Sequence, residues 1–219
     1  MIPASAFDDI IDELEQRPLD VNHYRVKTGS GRSQAFGIVG KRSDPGGPDY
    51  SRQCWIRPYL YSLLLDFGES YVKDISWNAI TLNQGYQAAP HYDHHNKGPS
   101  FLAAFGDYEG GELLVHEGPY EGEYDMRYNY LVMDFSKALH SVKPFTGNRC
   151  SVVYYYYEDP RWANKTHPKA EVRFQGGDYI FYRGGVPCKG LPHHLKGYRH
   201  SKIDPAKVDT TINHGESQE

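Results

Sequence analysis

The sequence has few cysteines, no long apolar run and no excess of basic residues. Its three cysteines, Cys54, Cys150 and Cys188, are far apart and form no Cys-x-x-Cys pair, which argues against a disulfide framework or a structural zinc site. No apolar run approaches the roughly 20 residues that a membrane helix requires. The formal charge is −4, from 24 basic and 28 acidic residues, which argues against a globally basic nucleic-acid binder but not against a local basic patch.

The amino-terminal segment is acidic. The residues MIPASAFDDIIDELEQ lack the apolar stretch that forms the centre of a signal peptide. We therefore expect an intracellular protein, in the cytoplasm or nucleus, that is neither secreted nor associated with a membrane.

Tyrosine, glycine and proline are abundant. The 219 residues include 19 tyrosines, 22 glycines and 14 prolines. Tyrosine favours strands, whereas glycine and proline favour the turns that join them. The length suits one large β domain with appended helices better than two full domains. The composition thus predicts a mainly β fold with flanking helices, either a sandwich or a jelly roll.

Two segments near the amino terminus have apolar residues at helical spacing. The first covers residues 5–16, with Ser5 as a plausible N-cap. The second begins at Pro58, which suits a first helical turn, and is expected to end at about Phe67 because Gly68 follows. Between them lies a short apolar piece, Ala35–Val39, flanked by loops rich in Gly, Pro and Ser.

From Ile75 onward the hydrophobic period is that of strands. One domain is predicted overall, with a helical and loop region over 1–74 packed on a β core over 75–202, and a polar tail over 203–219. The predicted strands cover residues 76–84, 100–105, 112–117, 128–135, 150–157, 171–174 and 179–182, and the last two flank Gly176–Gly177 as a predicted hairpin.

Four residues within this β region carry the chemistry: His91 and Asp93 in APHYDHHN, His140 in KALHSVKPF and Arg149 in GNRCSVVYYYY. In an extended strand, His-x-Asp places both side chains on one face. Two imidazoles and one carboxylate hold Fe(II) while leaving coordination positions open. Arg149 carries a planar, permanent charge that suits a bidentate pair with the carboxylate of an acidic co-substrate.

Each element of this set has a simpler interpretation by itself. A His-x-Asp sequence is common by chance, His140 alone fits a hydrogen-bonded histidine near a strand end, and Arg149 alone fits a surface salt bridge. His95 competes with His91 because it lies on the same strand face in an extended segment. The order of the four residues in a β-rich chain favours the metal site.

The segment HYDHHNKGPSFLAAFGDYEGGELLV resembles a known group of oxygenases. The string from His91 to Asn96 is similar to the ligand segment of the TET and J-binding-protein nucleobase oxygenases. The longer pattern, with GPS, GDYEGGEL, His140 and PFTGNRCSVVYY, is similar to algal and protist relatives, among them a dioxygenase that modifies 5-methylcytosine in DNA. The resemblance covers roughly residues 75–157 and lies within the Fe(II)/2-oxoglutarate-dependent dioxygenase superfamily.

This resemblance implies a double-stranded β-helix, Fe(II), molecular oxygen and 2-oxoglutarate. By the family pattern, His91, Asp93 and His140 hold the iron and Arg149 holds the co-substrate carboxylate. Ascorbate is an alternative co-substrate, because one algal relative uses it. The family also implies oxidation of the methyl group of a pyrimidine, 5-methylcytosine or thymine, in nucleic acid.

Three residues are candidates for contacting such a base. Asn96 matches the family asparagine that contacts the target base, and its amide can both donate and accept hydrogen bonds. Its alternative role is an Asx turn after the strand. Tyr86 and Tyr92, beside the ligands, are candidate stacking faces, although barrel packing accounts for most tyrosines in such a chain.

A basic segment over 183–202 is the candidate for contacting phosphates. The sequence lacks the cysteine-rich zinc region of the TET group, so another DNA contact is required. The segment contains no acidic residue and could hold a nucleic-acid backbone, or it could be a solvated loop that offsets the acidic stretch 107–125. The candidate phosphate contacts in it are Lys189, Lys196, Arg199 and Lys202.

Three other functions compete with nucleobase oxidation. Within the same enzyme class, the substrate could be a protein side chain, as in prolyl hydroxylation, or a small molecule. A catalytically silent barrel that binds a metal or a partner is disfavoured by the complete set of four residues. A zinc hydrolase is disfavoured because the sequence shows no obvious general base and leaves Arg149 without a role.

Overall fold

The described residues of this computed structural model, 1–21, 28–40 and 47–188, form three α-helices and fourteen strands. The helices are α1 (Asp8–Gln16), which follows a 3-10 turn at Ala4–Phe7, α2 (Gln53–Ile56) and α3 (Pro58–Tyr71). No helix in these ranges is long and apolar enough to span a membrane. The strands are β1 (Gly29–Val39), β2 (Asp49–Tyr50), β3 (Ala79–Ala88), β4 (Ser100–Phe105), β5 (Tyr108–Gly110), β6 (Leu113–Val115), β7 (Gly122–Tyr124), β8 (Asn129–Met133), β9 (His140–Val142), β10 (Phe145–Gly147), β11 (Cys150–Tyr155), β12 (Ala170–Gln175), β13 (Asp178–Arg183) and β14 (Val186–Pro187).

The largest sheet is antiparallel and has the order β2-β1-β3-β11-β4-β8. The β-branched and aromatic run of β11 lies near its centre, where Val153 pairs with Thr81 of β3 and Leu102 of β4. Successive side chains of a strand point to opposite faces. Val152 and Tyr154 therefore face one side of the sheet, and Ser151 and Val153 face the other.

The helices cover the outer face of this sheet. Phe7 is fully buried and stacks on Phe105 of β4, with ring centroids 4.4 Å apart. The hydroxyl of the buried Tyr154 donates a hydrogen bond to the carbonyl of Leu64 in α3. Full burial of one large apolar side chain contributes roughly 1.5–3 kcal/mol. Packing of this helical layer therefore stabilises the large sheet from its outer face.

The inner face packs against shorter strands. A three-stranded antiparallel sheet, β7-β6-β9, and the pair β10-β5 lie in this second layer. Leu102 and Ala104 of the large sheet form one buried cluster with Leu113, Val115 and Phe135. Two facing antiparallel sheets with helices outside form a double-stranded β-helix of jelly-roll type, which confirms the predicted fold class. The predicted hairpin of β12 and β13 is also confirmed, with its turn at Gly176–Gly177.

Three details differ from the sequence expectation. Ser5 lies inside the 3-10 turn, and no side chain caps α1. The apolar piece Ala35–Val39 is only the end of the eleven-residue β1, which is long because it pairs with β3. Helix α3 continues through Gly68 and does not end there. This glycine allows close packing, since a Cβ there would lie 2.6 Å from the Trp77 ring and 2.7 Å from the Tyr154 ring.

Candidate metal centre

The two predicted histidine ligands are direct backbone partners. Strand β3 ends at Ala88, so His91 lies beyond it and not in the extended strand that its His-x-Asp pattern suggested. It forms an isolated antiparallel bridge with His140, the first residue of β9, through two backbone hydrogen bonds of 3.0 Å. Side chains of residues paired in this way lie on the same side. The two imidazole rings have centroids 4.3 Å apart.

Backbone carbonyls orient both imidazoles. Nδ1 of His91 lies 2.8 Å from the carbonyl oxygen of Ala89, and Nδ1 of His140 lies 2.9 Å from that of Ala138. An Nδ1–H that donates to a carbonyl leaves the lone pair of the neutral ring on Nε2. Burial lowers the pKa of His140, which favours this neutral form. In the neutral form, each ring therefore leaves Nε2 available to a metal ion.

Asp93 completes the group from the loop after His91. Its backbone N–H donates to the carbonyl of Phe135 at 3.1 Å, and its Oδ1 lies 3.5 Å from Nε2 of His91. One ligand atom from each of His91, Asp93 and His140 lies within 4.8 Å of the other two. Two nitrogens and one carboxylate oxygen at this spacing fit a metal ion that keeps open coordination positions.

His95, the competing candidate, does not join this group. Its ring is exposed and lies 6.1 Å from the ring of Tyr157. In the described part of the chain, the triad of His91, Asp93 and His140 is the only cluster with metal-site spacing.

Arg149 precedes β11 and is almost completely buried, at 2% exposure. Its Nε donates to the carbonyl of Gly111 at 3.0 Å, and its guanidinium lies 5.5 Å and 5.7 Å from the ring centroids of Tyr108 and Phe145. No carboxylate of the described residues lies within ion-pair distance of it. Burial lowers the pKa of Arg149. A buried charge without a protein counterion is costly, so this site favours an anionic ligand.

Tyr108 is a polar neighbour of Arg149 that the sequence did not single out. Its hydroxyl is buried and has no hydrogen-bond partner of good geometry among the described residues. Burial raises the pKa of Tyr108, so the phenol stays protonated and can donate. Tyr108 lies within the GDYEGGEL segment, but only the position of β5 next to β10 reveals its proximity to Arg149.

One cavity of about 380 Å³ contains the triad and Arg149. Asn83 of β3 and Ser151 of β11 contribute polar groups to its wall, and the Asn83 amide donates to the Ser151 hydroxyl at 3.2 Å. Asp93 and Arg149 are the only charged residues other than histidine among its described lining residues. Apart from the triad and the arginine, the cavity therefore suits an uncharged group.

Several solved structures have a backbone similar to that of this chain. No protein-family profile and no curated protein matches the sequence. NgTET1 in complex with 5-methylcytosine DNA has a TM-score of 0.49 and 14% identity over 72% of this chain and 69% of its own. A 2-oxoglutarate–Fe(II) oxygenase family protein from Burkholderia pseudomallei has a TM-score of 0.45 and 18% identity over 68% and 76%. A Trichoplax adhaerens prolyl hydroxylase with a hypoxia-inducible-factor peptide has a TM-score of 0.48 and 13% identity over 74% and 81%.

The resemblance in the sequence concerns the Fe(II)/2-oxoglutarate oxygenase superfamily and its jelly-roll fold. The identities are low, and one of these structures contains DNA whereas another contains a peptide. The substrate must therefore be argued from the cavity of this chain.

The three predicted substrate residues all line the cavity. Tyr86 is buried, and its hydroxyl lies 3.0 Å from that of Thr28. The hydroxyl of Tyr92 hydrogen-bonds Glu117, and its ring stacks on that of His94 with centroids 5.5 Å apart. Asn96 donates its amide hydrogens to Asp93 and to Ser100, so it lies next to the triad.

The predicted phosphate contacts Lys189, Lys196, Arg199 and Lys202 lie outside the described residues. Within the basic segment, Arg183 is described, and it forms an ion pair of 3.0 Å with Asp49.

Proposed function

We propose that this chain is an Fe(II)/2-oxoglutarate-dependent dioxygenase that hydroxylates a C–H bond of an uncharged group. The observation that carries the proposal is the content of one cavity. A triad with metal-ligand spacing and a buried arginine without a carboxylate partner among the described residues both line it. The first fits a ferrous ion, and the second fits a dicarboxylate co-substrate.

Each residue of the triad would supply one ligand atom to the metal. His91 and His140 would bind through Nε2, since Nδ1 of each ring is engaged by a carbonyl. Asp93 would bind through Oδ1, the oxygen that faces His91. Iron bound there, with 2-oxoglutarate, supplies the oxidising power for C–H hydroxylation. One atom of O2 enters the substrate as hydroxyl, the other enters succinate, and CO2 leaves.

Arg149 would orient the co-substrate by pairing with the carboxylate remote from the metal. The Gly111 carbonyl holds Nε, which leaves the terminal nitrogens of the guanidinium for a bidentate pair. The low polarity of this pocket strengthens each of these interactions.

For the substrate, we propose the methyl group of 5-methylcytosine or thymine in nucleic acid. The resemblance of the segment from His91 to Asn96 to nucleobase oxygenases motivates it, and two features of the cavity support it. Tyr86 and Tyr92 supply aromatic faces, and the walls beyond the triad and Arg149 are uncharged, as a base requires. A base in a duplex must be flipped out, or be presented in a single strand, to enter such a cavity.

A substrate comparison tests the proposal. The protein is incubated with Fe(II), 2-oxoglutarate and ascorbate, together with methylated DNA, unmethylated DNA or a proline-containing peptide. Succinate release measures turnover, and mass spectrometry of nucleosides and peptides identifies the product. Asp93→Ala is the inactive control. Hydroxylated pyrimidine is expected from DNA, whereas a hydroxylated peptide alone would replace the proposed substrate with a protein side chain. Iron-independent oxygen consumption, or none at all with any substrate, would contradict the oxygenase proposal.

A further inference from the structure

The side-chain amide of Asn96 is engaged by protein groups next to the triad. Its Nδ2 donates to Oδ2 of Asp93 and to Oγ of Ser100, both at 3.2 Å. Since an amide nitrogen has two hydrogens, these two contacts use its full donor capacity. The amide oxygen is then the only hydrogen-bonding atom of this side chain that remains for a substrate.

The position of Asn96 is well determined by its neighbours. Its backbone N–H donates to the carbonyl of Asp93 at 2.9 Å, and its backbone forms a bridge with Tyr157, just beyond β11. Ser100, the other acceptor, is fully buried at the start of β4. Asn96 is therefore held between the loop that carries Asp93 and two strands of the large sheet.

We infer that Asn96 is a positioning residue that holds Asp93 as a one-oxygen metal ligand. The two carboxylate oxygens have different neighbours: Oδ1 lies 3.5 Å from Nε2 of His91, and Oδ2 accepts from Asn96. A hydrogen bond to Oδ2 keeps that oxygen away from the metal position. Without it, the carboxylate can rotate and present both oxygens, which would occupy a position needed for O2 or co-substrate.

The inference rests on the metal site of the proposed function and makes a separate prediction. Loss of a residue that orients a ligand typically lowers metal affinity about 10- to 100-fold. A residue that contacts only the substrate leaves metal affinity unchanged when no substrate is present. Metal binding in the absence of DNA and 2-oxoglutarate therefore distinguishes the two roles of Asn96.

The experiment titrates the metal-free protein with Co(II) and follows the visible absorption of the bound ion, which reports coordination number. Asn96→Ala should bind about 10- to 100-fold more weakly with an altered spectrum. Asn96→Ser, with a shorter hydroxyl side chain, is measured in parallel as a second removal of the amide. Circular dichroism checks the fold of each variant.

Asn78→Ala is the matched control. The Asn78 side chain also fixes residue 157, by donating to the carbonyl of Tyr157 at 3.1 Å and accepting from its N–H at 2.7 Å. We expect wild-type Co(II) affinity and spectrum in this variant. If Co(II) affinity fell equally in Asn78→Ala and Asn96→Ala, the cause would be the loosened contact with Tyr157, and the inference would be overturned. Wild-type Co(II) binding by both Asn96 variants would also overturn it. Failure of the wild-type protein to bind Co(II) would instead overturn the metal site itself.

Discussion

At the scale of single residues, Arg149 is the side chain whose surroundings are hardest to explain without a ligand. It is among the largest fully buried side chains, next to aromatic rings and a carbonyl rather than a carboxylate. A structural arginine at such a depth would be expected to have an acidic partner, as Arg57 has in Glu13 at 2.8 Å. The contrast between these two buried arginines supports the role of Arg149 as a carboxylate site.

Replacement of Arg149 by lysine should weaken 2-oxoglutarate binding. Lysine keeps the charge but loses the planar fork and the bidentate pair. A loss on the order of 2–3 kcal/mol corresponds to a Michaelis constant about 30- to 150-fold higher. Arg127→Lys is the control, because Arg127 also lies 5.5 Å from the Tyr108 ring centroid but does not line the cavity. An unchanged Michaelis constant in Arg149→Lys would remove the proposed role, and turnover with ascorbate alone would point to the other co-substrate.

The metal ligands are tested by replacing histidines of one short segment. His91→Ala should lose bound iron, whereas His95→Ala should keep it, because only His91 belongs to the triad. Metal content after reconstitution with Fe(II) is the measurement, with Asp93→Ala and His140→Ala as further losses. Iron retained by His91→Ala and lost by His95→Ala would mean that the wrong end of the motif was assigned.

At the scale of elements, glycines determine how closely strands and helices approach the site. Gly111, between β5 and β6, has φ of +72° and lies against Arg149, where a Cβ would come within 2.7 Å of Cδ. Gly68 allows α3 to lie against Trp77 and Tyr154. In both places the missing side chain creates the space that a larger neighbour fills.

Gly111→Ala should raise the Michaelis constant for 2-oxoglutarate by displacing Arg149. Gly118→Ala is the matched control, since Gly118 has φ of +89° but no atom within 4 Å of the added Cβ. Both variants should lose about 1–2 kcal/mol of unfolding free energy from the left-handed backbone. Chemical denaturation and initial-rate kinetics separate the two effects. Equal Michaelis constants in the two variants would contradict the crowding of Arg149.

Gly68→Ala should destabilise the protein even though alanine is the better helix former. Helix propensity alone predicts a gain of about 1 kcal/mol. The contacts with the Trp77 and Tyr154 rings should outweigh it, with a net loss of about 1–3 kcal/mol. Urea unfolding measures the change, and Ser70→Ala on the exposed face of the same helix should stay within about 0.5 kcal/mol of wild type. A more stable Gly68→Ala variant would show that the helix can move away from the sheet.

In the molecule as a whole, the clearest group of basic residues is separate in sequence from the residues of the candidate site. The chain has a formal charge of −4, and the cavity walls carry few charges, while its clearest basic segment lies at 183–202. A nucleic-acid substrate therefore requires local contacts with the phosphates rather than a general electrostatic attraction. The base and the backbone would be recognised by different parts of the chain.

Binding to single-stranded DNA should weaken steeply as salt rises. If Lys189, Lys196, Arg199 and Lys202 each neutralise one phosphate, the plot of log affinity against log salt should have a slope of about −3. Replacement of these four residues by alanine should flatten the plot. The control replaces Lys97 and Lys143, which already form ion pairs with acidic side chains. A slope unchanged by the four replacements would exclude this segment from DNA binding.

The fold class and the candidate site residues could be predicted from the amino-acid sequence alone. Local patterns carry this information, because strand alternation, the order of His, Asp, His and Arg, and a Gly-Gly turn need no distant partner to be recognised. Strand β11 and the β12–β13 hairpin appear in the structure where the sequence predicted strands, and the three candidate ligands and Arg149 line one cavity.

The spatial neighbours of these residues could not be predicted from the sequence and are seen in the folded protein. The sequence treated Asn96 as a base contact and did not single out Tyr108 or Gly111, yet the structure places Asn96 on Asp93 and both other residues against Arg149. The structure also shows that α3 continues through Gly68, where the absence of a side chain leaves room for two aromatic rings. The physical reason is the same in each case: these contacts join residues on different strands and helices, and they exist only after sheet register and layer packing have brought those elements together.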